Sequence, residues 1–142
     1  MDGEQLFYTQ SGYDRADSGP LTIAMEDYLE MICRLTQTGG YTRISVLARV
    51  LHVQPSSASK MAVLLKARGY LAAERYGYLR LTEKGAQAGE YLLYRHNVLH
   101  RLLCRINGSD DELEQTERIE HYIDARTVRN IAAFLDDPKA AP

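Results

Sequence analysis

The stretch Thr116 to His121, TERIEH, sets Glu117, Glu120 and His121 at i, i+3 and i+4. On a helix those three side chains share one face. Two carboxylates and an imidazole on one turn repel or desolvate one another unless something compensates, and a divalent cation is the usual compensation. A solvated acidic face that carries a histidine is the other reading of this stretch taken alone. A second carboxylate pair, Asp27 and Glu30, stands at i, i+3. The helix dipole also favours acidic residues in a first turn, which accounts for that pair without a metal. A further imidazole, His96, is followed one helical turn later by His100.

The rest of the chain bounds what such residues can serve. At 142 residues, 45% hydrophobic and 25% charged, it holds one compact domain or two small lobes, with no collagen-like, mucin-like or disordered bias. Asp2 and Glu4 stand where a secretory signal would be basic, and no apolar run approaches the roughly 18 residues of a membrane span. The expected location is the cytoplasm. Cys33 and Cys104 lack metal-site spacing and read as small core residues in a reducing compartment. The net charge of −2 is unevenly spread: −5 over residues 1–40, +6 over 41–85 and −3 over 86–142. A basic middle between acidic flanks is the footprint of a nucleic-acid-binding module joined to something else.

The elements that position these residues follow from periodicity and breakers. Residues 1–19 show no period and are expected to form a mobile tail; Pro20 opens a helix over about Leu21 to Gln37, stopped by Gly39 and Gly40. A short helix from Arg43 to Leu51, a tight connection at His52 to Gln54, and a helix from Pro55 to Gly69 form a helix-turn-helix. The second helix of such a unit normally enters the DNA major groove. Gln54, Pro55, Ser56, Ser57, Ser59, Lys60 and Lys66, with Arg43 ahead of them, are the candidate DNA contacts, although an ordinary polar face has the same composition. Tyr70 to Glu74 and Tyr78 to Thr82 predict a hairpin turning at Gly77, a wing on which Arg75 and Arg80 face phosphate. Thr82 caps a long helix running to about Ile106, with more apolar surface than the winged lobe needs, so a partner chain is expected. Ser109 and Glu112 predict a capping box for a helix over Asp110 to Tyr122, and a last helix runs from Ala125 to Leu135. The fold class is thus mainly α: a winged helix-turn-helix over 20–85 and a helical metal-binding and dimerisation domain over 86–142.

This order of parts resembles the diphtheria toxin repressor family of metal-dependent regulators, most closely its manganese-responsive branch, the manganese transport regulators. The resemblance covers residues 21–135 and rests on MEDYLE (25–30), VQPSSASKM (53–61), GYLAAERYGYLRLTEKG (69–85), YRH (94–96) and ERIEH (117–121). It implies a metal cluster of Asp27, Glu30, His96, Glu117, Glu120 and His121. It also implies a homodimer bound to double-stranded operator DNA, repression of metal-uptake genes, and no SH3-like third domain. The iron-responsive branch has methionine and cysteine at the positions of Asp27 and Glu117. With carboxylates there, four carboxylates and two imidazoles make a hard set suited to Mn(II), with one or two ions per chain left open. Fe(II), Co(II), Cd(II) and Zn(II) are the substitutes such a set admits. His100 departs from much of the family, where an acidic residue is expected, so an auxiliary interaction nearby is altered or absent.

On this reading metal pins the lobe that carries Asp27 and Glu30 to the lobe that carries Glu117, Glu120 and His121. The spacing of the two recognition helices in a dimer is then fixed. A metal-independent winged-helix regulator sensing a small organic ligand keeps the basic middle but leaves the six residues unexplained. A di-metal enzyme lacks its Glu-x-x-His pairs, and a partner-binding winged helix is the third alternative.

Overall fold

The computed structural model describes residues 21–137. The tail over 1–19 and the helix start at Pro20 lie outside the described residues. Helix α1, Ile23–Thr36, begins at Thr22, whose hydroxyl accepts the Met25 N–H at 3.2 Å. That bond satisfies one of the four N–H groups a helix start leaves open. Its apolar stripe, Met25, Tyr28, Leu29, Ile32 and Cys33, is buried.

Helix α2, Ile44–Leu51, and helix α3, Pro55–Ala67, are joined at His52, which takes the left-handed conformation (φ 57°) and ends α2 through bonds to the Ala48 and Arg49 carbonyls. Proline opens α3, where its missing N–H costs nothing, and Ala58, Ala62 and Leu65 are its buried side. Small residues at two of those three positions let α3 sit close to the core.

The wing is narrower than predicted. Strand β2 is Tyr78–Leu79, and it pairs antiparallel with β1, Thr42–Arg43, with Thr42 opposite Leu79 and Arg43 opposite Tyr78. The expected pairing of the 70–74 and 78–82 segments reduces to one bridge, Leu71 with Leu81. The sequence reading missed β1 because two residues carry no legible period.

Helix α4, Glu83–Asn107, is 25 residues long, capped by Thr82 and closed by left-handed Gly108. At 1.5 Å per residue it spans about 37 Å. Its first half meets the core of the winged lobe, where Met25, Leu29, Ile32, Leu47, Leu65, Leu79 and Leu92 are buried together. Each such side chain contributes roughly 1.5–3 kcal/mol on leaving water. Its second half packs on α6, Ala125–Asp136, with Val98, Leu99, Val128 and Leu135 buried. Ile106 on α4 and Phe134 on α6 remain largely exposed.

Between them lies α5, Leu113–Ile119, which starts later than predicted and is followed by a 3₁₀ turn, Glu120–Tyr122. The predicted capping box does not form. Glu112 is the N-cap but makes no side-chain cap bond, and its own N–H donates to His100 Nε2 at 3.1 Å. Ser109 instead donates its hydroxyl to the Glu112 carboxylate at 3.1 Å. An imidazole reaching across from α4 thus does the work expected of Ser109.

Helices α1 and α4 touch at Gly89, where an added Cβ would lie 2.7 Å from Cys33 Cβ and 2.9 Å from its sulfur. Gly89→Ala gains about 1 kcal/mol of helix propensity. The clash is with a Cβ rather than a flexible chain end, and overpacking of this kind costs about 1–3 kcal/mol. The net expectation is loss of stability, measured by urea denaturation of the metal-free chain; a midpoint that rises would contradict this account of the contact.

Candidate metal centre

One imidazole is the focus. His96, on α4, directs Nδ1 toward three carboxylates: Glu117 at 3.4 Å, Glu120 at 3.5 Å and Glu30 at 3.8 Å. Glu30 comes from α1, Glu117 from α5 and Glu120 from the 3₁₀ turn, so four separate elements meet here. One ligand-type atom from each residue lies within 4.8 Å of all the others, and no other cluster of three or more such residues forms among the described residues. Glu120 is fully buried, and the side chains of His96 and Glu30 are 6% and 8% exposed; only Glu117, at 52%, faces solvent. The group borders an open cleft of about 460 Å³ that Asp27 also lines, with Met31, Leu51 and Leu113 as its apolar wall.

The approach of these groups is close without being a hydrogen-bonded network. His96 Nδ1 and both Glu120 oxygens are buried with no hydrogen-bond partner among the described residues. Glu30 has partial compensation from Arg34, whose Nη2 donates to it at 3.1 Å. Buried polar atoms are normally satisfied, yet the two Glu120 oxygens, which converge with Glu30 and Glu117 on one imidazole, have no donor among the described residues. A divalent cation fits that set of oxygen and imidazole donors.

Their acid–base state follows from the crowding. Burial, then the neighbouring Glu120 charge, pushes Glu30 up to about 7. Glu117 is raised for the same two reasons. His96 is raised chiefly by the Glu120 carboxylate beside it. Burial pulls Glu120 upward, but His96 and Glu117 outweigh it and hold that carboxyl below its usual range.

Asp27 and His121, the other two expected ligands, form an adjoining pair. His121 Nε2 lies 3.0 Å from Asp27, and Nδ1 lies 2.8 Å from Glu26. Burial lowers the imidazole's pKa, yet its bonds to Asp27 and Glu26 win and raise it to about 9. The sequence reading missed Glu26 and Arg95. Arg95, 3% exposed, bridges to Glu26 at 3.2 Å and lies 3.3 Å from His121 Nδ1. Their one sequence signal was adjacency, Glu26 to Asp27 and Arg95 to His96.

The helical-face argument for TERIEH holds only in part. α5 ends at Ile119, and the 3₁₀ turn winds Glu120 and His121 by more per residue than an α-helix does. Glu120 consequently joins Glu117 at His96, while His121 turns to α1. His100 stacks on His96, with ring centres 6.3 Å apart and planes 10° from parallel.

Among the candidate DNA contacts, Gln54, Pro55, Ser56, Ser57, Ser59 and Lys60 are exposed at the start of α3, and Lys66 is half-buried near its end. Arg75 is exposed on the wing. Two expected contacts have partners inside the protein: Arg43 lies 4.6 Å over the Tyr78 ring, and Arg80 donates Nε–H to Glu74 at 2.8 Å.

Comparison with known proteins places this geometry among relatives. The iron-dependent repressor N-terminal DNA-binding domain matches residues 20–79, and the iron-dependent repressor metal-binding and dimerisation domain matches residues 82–142. The chain is 42% identical over 116 residues to the HTH-type transcriptional regulator MntR of Bacillus subtilis, covering 80% of this chain and 81% of that protein. It is 39% identical over 116 residues to MntR of Oceanobacillus iheyensis, covering 81% and 79%. A solved manganese-dependent transcriptional repressor in complex with manganese superimposes with a TM-score of 0.70 at 26% identity, over 83% of this chain and 55% of that one. ScaR with bound Zn²⁺ gives 0.66 at 28% identity, over 83% and 56%. The chain thus spans little more than half of either solved structure. No helix among the described residues is long and apolar enough to cross a membrane.

The shifted groups set a pH dependence for the metal-free chain. Glu30 (4.5 to about 7) and His121 (6.5 to about 9) both bind protons more tightly folded than unfolded. Their contribution to stability is full below the unfolded values and lost as pH rises through the folded ones. The thermal midpoint in the presence of a chelator is expected to fall between pH 5 and 9; a midpoint that climbs across that window would contradict the assignment.

Proposed function

The chain belongs to the iron-dependent repressor family, and we propose that it is a manganese-responsive transcriptional repressor in the cytoplasm, whose metal site controls operator binding. Its two matched domains are the DNA-binding and the metal-binding and dimerisation domains of that family. Members of the family and the relatives described above are transcriptional regulators, and no catalytic role is assigned to any side chain.

The observation that carries the proposal is the convergence of Glu30, His96, Glu117 and Glu120 from α1, α4, α5 and the 3₁₀ turn. Asp27 and His121 complete the six proposed ligands and supply a second position beside the first. When bound, a divalent cation supplies the positive charge that this set lacks. The two imidazoles must be neutral and the carboxylates ionised to bind it, so loading releases protons and acid weakens the response. Four carboxylates to two imidazoles favour a hard ion such as Mn(II), and Fe(II), Co(II), Cd(II) and Zn(II) are competitors whose exclusion depends on geometry, because intrinsic affinity favours several of them.

The regulatory step lies in what the residues join. Asp27 and Glu30 are on α1, which belongs to the winged lobe, whereas Glu117, Glu120 and His121 belong to the part that follows α4. Holding both sets together fixes the orientation of α3 relative to the dimerisation surface. In a two-fold dimer, two recognition helices must reach successive major grooves about 34 Å apart. A dimer whose lobes sample other orientations binds DNA only for the fraction of time spent in the right one.

Glu117 is the half-exposed member of the cluster, so its removal spares the core. Glu117→Ala is expected to abolish the metal dependence of DNA binding and leave a folded dimer, measured by sedimentation and by fluorescence anisotropy on duplex DNA with and without Mn(II). A variant that still responds normally would show the ligand assignment to be wrong.

A further inference from the structure

The tip of the wing carries a residue that the turn itself does not favour. Tyr76 (φ 61°) and Gly77 (φ 77°) are both left-handed, and the Tyr78 N–H closes the turn on the Arg75 carbonyl at 3.2 Å. Two consecutive positive φ angles are the pattern of a type I′ turn, whose first central position favours Asn, Asp or Gly. A bulky side chain there holds the backbone in a region that L-residues avoid. Burial does not repay this, because Tyr76 is 86% exposed, the highest value among the exposed large apolar residues of the described chain.

The turn is also held in place. The Ile44 N–H, at the first residue of α2, donates to the Gly77 carbonyl at 2.8 Å, and β1 pairs with β2 beside it. The tip is thereby fixed to the helix-turn-helix rather than hanging from it. All three arginines around the wing are exposed: Arg43 is stacked on Tyr78, Arg80 is paired with Glu74, and Arg75 lies next to the tip. An outward phenol beside an exposed guanidinium, on the basic third of the chain, matches the chemistry of a sugar–phosphate backbone, to which tyrosine hydroxyls and arginines both donate.

We propose that Tyr76 is a DNA-backbone contact, retained at the wing tip at the expense of the turn's own stability, and that with Arg75 it sets the register of the wing on the duplex. This rests on the reading of the chain as a DNA-binding regulator. A backbone contact positions the protein without reading bases. A neutral phenol releases no counterion, unlike an arginine.

The test uses full-length protein and the duplex that the manganese-loaded wild type selects from a random library. Affinity is measured by anisotropy over a range of salt, alongside a scrambled duplex, and compared for wild type, Tyr76→Gly and Arg75→Ala. Tyr76→Gly suits the turn better and carries no side-chain donor, so its thermal midpoint is expected to stay or rise and its manganese affinity to be unchanged. Its DNA affinity is expected to fall about five- to tenfold, the worth of one net hydrogen bond, on both duplexes and with the salt slope intact. Arg75→Ala should instead flatten the slope of log affinity against log salt by about 0.9. Full DNA affinity in Tyr76→Gly would overturn the proposal, and so would a loss confined to the selected duplex, because that would mean base reading. If the wild type binds DNA equally with and without manganese, the metal reading fails while the Tyr76 comparison stays readable on the same duplexes.

Discussion

Glu30 and Glu120 are both buried, and ligand-type oxygens of the two lie within 4.8 Å of each other beside a single imidazole. Unit charges about 4–5 Å apart repel by roughly 3–4 kcal/mol even at an effective dielectric near 20. The chain relieves part of this by keeping protons: Glu30 is pushed up to about 7, and His96 is raised by Glu120. Hydrophobic packing around Leu29, Ile32, Leu92 and Leu99 is what holds these groups together despite the repulsion. The site is thus poised: its geometry is set by the core, and its charge balance is left for a cation to complete.

That imbalance is shared between two parts of the fold that are otherwise joined mainly through α4. α1 packs on α4 through Gly89 and Cys33, which brings Glu30 to His96 two helical turns further along. The short α5 and the 3₁₀ turn then lean Glu117 and Glu120 against the same imidazole from the other side. Glu26, Arg95 and His121 form a neighbouring ion-paired group across the same elements. It is made of protein charges alone, so α1 and the 3₁₀ turn are in contact before any metal arrives. Metal loading on this account strengthens and re-orients an existing contact, with protons from His121 and Glu30 as the exchange.

Much of this was legible in the sequence, for identifiable reasons. Pro55 and Gly69 bracket α3, Thr82 and Gly108 bracket α4, and both helices lie where those residues put them. Spacing alone isolated five of the six proposed ligands, and the MEDYLE, YRH and ERIEH motifs joined His96 to them. Most of the failures share a cause, a contact with a segment outside the local sequence, and one is a local change of helix winding. β1 is two residues long and exists only because β2 lies beside it. The start of α5 is set by His100 from α4, not by Ser109 nearby. The division of Glu120 from His121 comes from a switch to 3₁₀ winding that the i, i+3, i+4 pattern cannot register. Glu26 acquires its role only when His121 arrives from 95 residues away.

The central claim is that metal and DNA act on one equilibrium through the α1 to α5 contact. Linkage then requires the coupling to be reciprocal. The direct measurement is calorimetric titration of chelator-treated protein with Mn(II), free of oxygen, in the absence and presence of saturating selected duplex. The account predicts that duplex raises manganese affinity by the same factor by which manganese raises duplex affinity. Equal manganese affinity with and without DNA would contradict it, and would reduce the cluster to a structural site with no regulatory role.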